Sequence, residues 1–179
     1  MFGLACFVML FVVFFSWWGN YKFIETFDHE TVHTLFGFLF FKKIHSFQAT
    51  NVNGGVVYLN TSNFIITLAP YFFPLFLVIA VLLRIIIIPE WKFYADYFIG
   101  FAFGFHVFSS YRETSFRQPD IQSSGKLFSV IFITAMHLLT LTYLASYLIF
   151  DTAGFGINTD ALINNGIDYY NIIVAKFSQ

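Results

Sequence analysis

The chemistry in this sequence is concentrated in Asp28-His29-Glu30-Thr31-Val32-His33, which contains the pattern HExxH. On a helix the two imidazoles lie one turn apart on the same face and can reach a single metal ion. Glu30 sits beside them, where it can take a proton from metal-bound water without being a ligand. Zinc lowers the pKa of such a water to about 7 and so makes a nucleophile at neutral pH. The competing reading is a pair of helix-interface histidines bonded to neighbouring helices. Ionisable groups inside apolar segments are functional by default, which favours the metal.

A catalytic zinc takes three protein ligands and keeps a further position open. The extension of the pattern found in soluble metzincins, with Gly and His after the second His, is absent. The strongest distant ligand is Asp120, within Arg117-Gln118-Pro119-Asp120-Ile121-Gln122. A Pro-Asp pair at a helix start fixes a carboxylate, although Asp is also favoured there by the helix dipole alone. His106, in Phe103-Gly104-Phe105-His106-Val107, is the rival third ligand; it can equally orient a ligand or satisfy a carbonyl. His45 falls in a loop beyond the motif helix, and His137 reads as a core histidine among Ala135, Met136 and Leu138.

The elements that must position these groups are strongly apolar. The chain has 179 residues, 58% hydrophobic and 11% charged, with 28 Phe. A soluble domain carries about a quarter charged residues, so the surplus apolar surface is expected to face lipid. A net charge of -1 gives no reason to expect nucleic acid, and a single cysteine, Cys6, rules out an internal disulfide framework. The expected fold is an all-α, polytopic membrane protein with about five transmembrane helices, near 2–18, 24–41, 63–89, 93–110 and 119–150. Trp17, Trp18 and Tyr21 mark an interface after the first, which lacks the basic start and small-residue cleavage site of a signal peptide. Pro70 and Pro74 should kink or break the third. Residues 1–150 are read as one transmembrane domain and 151–179 as a polar tail outside the bilayer, with a short amphipathic piece around 161–172.

Between the second and third segments, residues 44–60 change character. Strand-prone runs flank Asn53-Gly54, a strong hairpin signal. The hairpin is either a plain connector or a strand edge that an extended substrate joins, through positions such as Val56 and Val57. Lys and Arg counts tilt slightly toward a cytoplasmic hairpin and an outward tail.

HExxH in an apolar helix, a hairpin, Leu68-Ala69-Pro70-Tyr71-Phe72-Phe73-Pro74, and then Gln118-Pro119-Asp120 before a final helix resemble the site-2-protease family of intramembrane zinc metalloproteases, more narrowly its small bacterial members. The resemblance covers roughly residues 24–150. It implies zinc held by His29, His33 and Asp120, water activated by Glu30, and a transmembrane protein or peptide substrate added as a strand along residues 47–59. It also implies a multi-pass protein of the bacterial inner membrane. The family's Asp-Gly pair is Asp120-Ile121 here. Simple alternation of five crossings sets His29 and Asp120 toward opposite faces. Either the motif sits deep, residues 111–120 dip inward, or the proline-broken third segment does not cross normally.

Two other classes compete. One is a non-catalytic membrane scaffold or transport subunit with structural histidines. The other is a membrane oxidase with iron held by His29, His33, His45, His106 and His137, although a diiron histidine site generally wants more histidines than five.

Overall fold

The computed structural model describes residues 22–50, 54–59 and 62–177, and it is mostly helical. The helix expected at 2–18 lies outside these residues. Helix α1 runs Lys22–Leu39, followed by strands β1 (Ile44–Thr50) and β2 (Gly54–Leu59). Then come α2 (Phe64–Phe72), α3 (Leu75–Ile86), a 3-10 turn at Pro89–Trp91, α4 (Lys92–Glu113), α5 (Pro119–Ser124), α6 (Lys126–Phe150) and α7 (Ala153–Phe177).

Helix α1 ends without a glycine. Phe41 takes the left-handed φ of 55°, and the amides of Phe41 and Lys42 reach back to the carbonyls of Phe38 and Gly37. That is the Schellman pattern, which closes the last carbonyls and turns the chain sharply into β1. The strands pair antiparallel, with Phe47 opposite Val57 and Gln48 opposite Val56. An irregularity between Ile44 and Ser46 leaves His45 as the extra residue. The hairpin rests on α1, where Phe27 and Phe47 meet edge to face at 6.0 Å.

The third apolar segment is broken, as its prolines require. Asn63 caps α2 by accepting from the Ile66 amide at 2.9 Å. The chain then bends by 67° between α2 and α3, across Phe73 and Pro74. Helices α3 and α4 pack together through the turn at Pro89–Trp91, joined by an Arg84–Asp96 ion pair. Pro119 opens α5 at the first helical turn, and Gly125, at φ 89°, separates it from α6.

Several boundaries differ from expectation. The segment 119–150 is two helices, because only a left-handed residue links α5 to α6. Residues 151–179 are largely one helix, Ala153–Phe177, where only a short piece was expected. Among the described residues one helix, Lys126–Phe150, is long and apolar enough to cross a membrane; the bent pair α2–α3 makes a second if taken as one span. The expected count of about five is therefore not reached. The reason is physical: α1 carries Lys22, Glu25, Asp28 and Glu30 within 18 residues, and α4 interrupts its phenylalanines with Asp96, Tyr97, Gly100, Gly104 and His106.

Two compact units divide inside α6, one ending at Ile133 and one beginning at Thr134. The first has a core of Val32, Ile66, Leu68, Tyr71, Ile99 and Ile121, all fully buried. In the second, Phe155 of α7 stacks on Tyr143 and Tyr147 of α6. A side chain at Gly154 would collide with the backbone at Ser146, so glycine permits that close approach.

Candidate metal centre

Helix α1 meets the first unit's core through Val32 and Phe36, both buried. That orientation turns His29 and His33, one helical turn apart, toward α2 and the end of α4. Their rings stand edge to face at 4.8 Å. Asp120, in the first turn of α5, faces both: its Oδ2 lies 3.6 Å from His29 Nε2 and 3.5 Å from His33 Nε2. His29, His33 and Asp120 form a group whose ligand atoms all lie within 4.8 Å of one another. A tetrahedral zinc with ligands about 2.1 Å away separates neighbouring ligand atoms by about 3.4 Å. The donor set and its spacing therefore fit a metal ion.

The opposite ring nitrogens fix how the imidazoles present themselves. His29 Nδ1 lies 2.8 Å from Glu113 Oε2, and His33 Nδ1 lies 3.0 Å from the Ile66 carbonyl oxygen. An ionised carboxylate and a carbonyl can only accept, so each Nδ1 carries the proton. In the neutral imidazoles that a metal ion requires, both Nε2 atoms then offer lone pairs, and both lie within 3.6 Å of Asp120 Oδ2. This is the arrangement by which outer partners orient metal-binding histidines and raise their basicity.

The end of α4 and the chain around α2 brace this pocket. Arg112 pairs with Glu25 of α1 at 3.1 Å, one residue before Glu113 reaches His29. Ser110 donates to the Tyr71 carbonyl at 2.6 Å. The Tyr71 hydroxyl donates to Asp120 Oδ2 at 3.2 Å, while its ring stands at 90° to His29, 5.3 Å away. Thus α1, α2, α4 and α5 all converge on the three candidate ligands. The third segment is not a straight rod between His29 and Asp120, since α2 and α3 bend by 67° at their junction.

Glu30 is buried, at 6% exposure. Its carboxylate interacts electrostatically with both imidazoles, Asp120 and Glu113. Three carboxylates, those of Glu30, Glu113 and Asp120, thus lie around two imidazoles, and Asp120 is the most exposed of the three candidate ligands.

His106 is buried on α4 but is not part of the three-ligand group. Neither His45, exposed on β1, nor His137 joins it. Val56 and Val57 lie in β2, opposite Gln48 and Phe47. Sequence reasoning missed Glu113, Tyr71 and the Ile66 carbonyl. Local pattern marks Glu113 only as an acidic residue closing an apolar helix and does not connect it with His29. Comparison with known protein families, curated proteins and solved structures gives no match.

Proposed function

We propose that this protein is an intramembrane zinc metallopeptidase of the site-2-protease type, embedded as a multi-pass protein in a bacterial inner membrane. The observation that carries the reading is the convergence of His29, His33 and Asp120 on one point, beside a buried glutamate in the HExxH pattern. His29, His33 and Asp120 would hold the ion. Bound there, zinc supplies Lewis-acid polarisation of a carbonyl and a water acidified to a pKa of about 7.

Glu30 acts as the general base. It accepts a proton as the water oxygen bonds to the substrate's peptide carbon, and it returns that proton to the leaving amine as the C–N bond breaks. Substrate chain is positioned along the hairpin, each strand of which has one edge without a strand partner among the described residues. An extended peptide added there is held mainly by backbone hydrogen bonds at positions such as Val56 and Val57. Support for a lipid environment comes from the composition and from exposed apolar side chains such as Leu82, Ile86, Leu127 and Ile131.

Glu30→Gln separates the base from the ligands. Purified in detergent, it should retain zinc at the wild-type level and lose hydrolysis of a transmembrane peptide by at least about 100-fold, the range expected for removing a general base. A Glu30→Gln protein that still cleaves such a peptide would end the peptidase reading.

A further inference from the structure

Helix α2 carries a proline in its interior, Pro70, the seventh of nine residues. Such a position is costly, because proline has no amide hydrogen and its ring crowds the carbonyl four residues earlier. The carbonyl four residues before Pro70 is that of Ile66. It is the same carbonyl that faces His33 Nδ1 at 3.0 Å.

We propose that Pro70 is a positioning residue of the metal centre: by withholding an amide from the Ile66 carbonyl, it leaves that oxygen to hold His33 with Nε2 toward the ion. The proposal rests on the metal site argued above and adds a residue that touches neither metal nor substrate.

Three observations support it. Ile66 is fully buried, so its carbonyl has no ready access to water and needs a donor from the protein. The Asn63 side chain anchors the start of α2 at the Ile66 amide, which fixes the peptide unit next to the carbonyl in question. Finally, the helix breaks shortly after Pro70 and frees a further carbonyl, that of Tyr71, which Ser110 of α4 takes up. The proline-interrupted segment thus offers its uncommitted carbonyls to neighbouring helices, one of them to a candidate ligand.

The roles of missing amide and ring shape separate cleanly. In Pro70→Ala the restored amide competes for the Ile66 oxygen and draws it back along the helix axis. The apo protein should then melt at a higher temperature, as expected when a proline leaves a helix interior. Zinc affinity, measured by competition with a chelating dye, should fall by roughly tenfold, the lower end of what losing such an outer partner costs. A variant with lactic acid at position 70 has alanine's methyl group but an ester oxygen in place of N–H. It should recover wild-type affinity within about threefold and restore the Co(II) absorption spectrum that Pro70→Ala alters.

A purely structural proline predicts otherwise, with apo stability and affinity falling together in Pro70→Ala. That result would overturn the proposal, as would wild-type zinc affinity in Pro70→Ala, or loss of affinity in the lactate variant equal to that of Pro70→Ala. If the wild-type protein itself binds no zinc, the metal site falls, and this inference with it. If wild type binds and Pro70→Ala binds equally, only the inference about Pro70 is lost.

Discussion

At the scale of single residues, the two histidines differ in what holds them. His33 leans on a neutral carbonyl, whereas His29 leans on the charged carboxylate of Glu113. The carboxylate adds negative charge near the ion and makes the His29 ring a stronger donor. Glu113→Gln keeps an acceptor of the same shape but removes that charge. Its zinc affinity should fall by about 10-fold, and that of Glu113→Ala by up to about 100-fold, read by competition against a dye. Equal affinity in all three proteins would reduce Glu113 to a partner without influence on the metal. This residue was not evident in the sequence. The HExxH spacing identifies His29 and His33 because helical geometry alone puts them on one face. Nothing in local pattern says that the end of α4 returns to the start of α1, and so Glu113 emerges only from tertiary structure.

At the scale of elements, the hairpin was legible and its neighbours were less so. Asn53-Gly54 between strand-prone runs marks a reversal through local backbone preference; the two runs do pair antiparallel, but Gly54 and Gly55 lie within the ladder opposite Thr50 and Ala49. Proline positions likewise forecast the break between α2 and α3, because proline's missing amide acts locally. The separation of α5 from α6 was missed, although Gly125 follows Ser123-Ser124 and precedes Lys126, a polar stretch with a turn-forming glycine. If the hairpin receives substrate, Val56→Pro and Val57→Pro should remove ladder donors and weaken cleavage of a transmembrane peptide while zinc stays bound. Normal cleavage in both variants, with metal content unchanged, would leave the hairpin a connector between α1 and α2.

At the scale of the molecule, hydrophobic composition leads to an expectation of about five spans. Among the described residues one helix, or two if the bent pair counts as one span, is long and apolar enough to cross a membrane. Charges at Glu25, Asp28 and Glu30 keep α1 from reading as an ordinary crossing, yet one of them, Glu30, lies beside the candidate metal ligands. Single cysteines placed through 66–82 and 130–146 should resist aqueous maleimide in membrane vesicles, as spans buried in a hydrocarbon core about 30 Å thick would. Ready labelling throughout 66–82 would take α2 and α3 out of the membrane.

The central claim is that residues 91 positions apart, His29 and Asp120, complete one metal site with His33. The most direct test is zinc content of the purified protein beside Asp120→Ala, with helicity confirming that both are folded. One zinc per wild-type chain and little in Asp120→Ala is the expected result, because removing one of three ligands leaves two imidazoles unable to retain the ion. Full zinc occupancy in folded Asp120→Ala would contradict it and move the third ligand elsewhere.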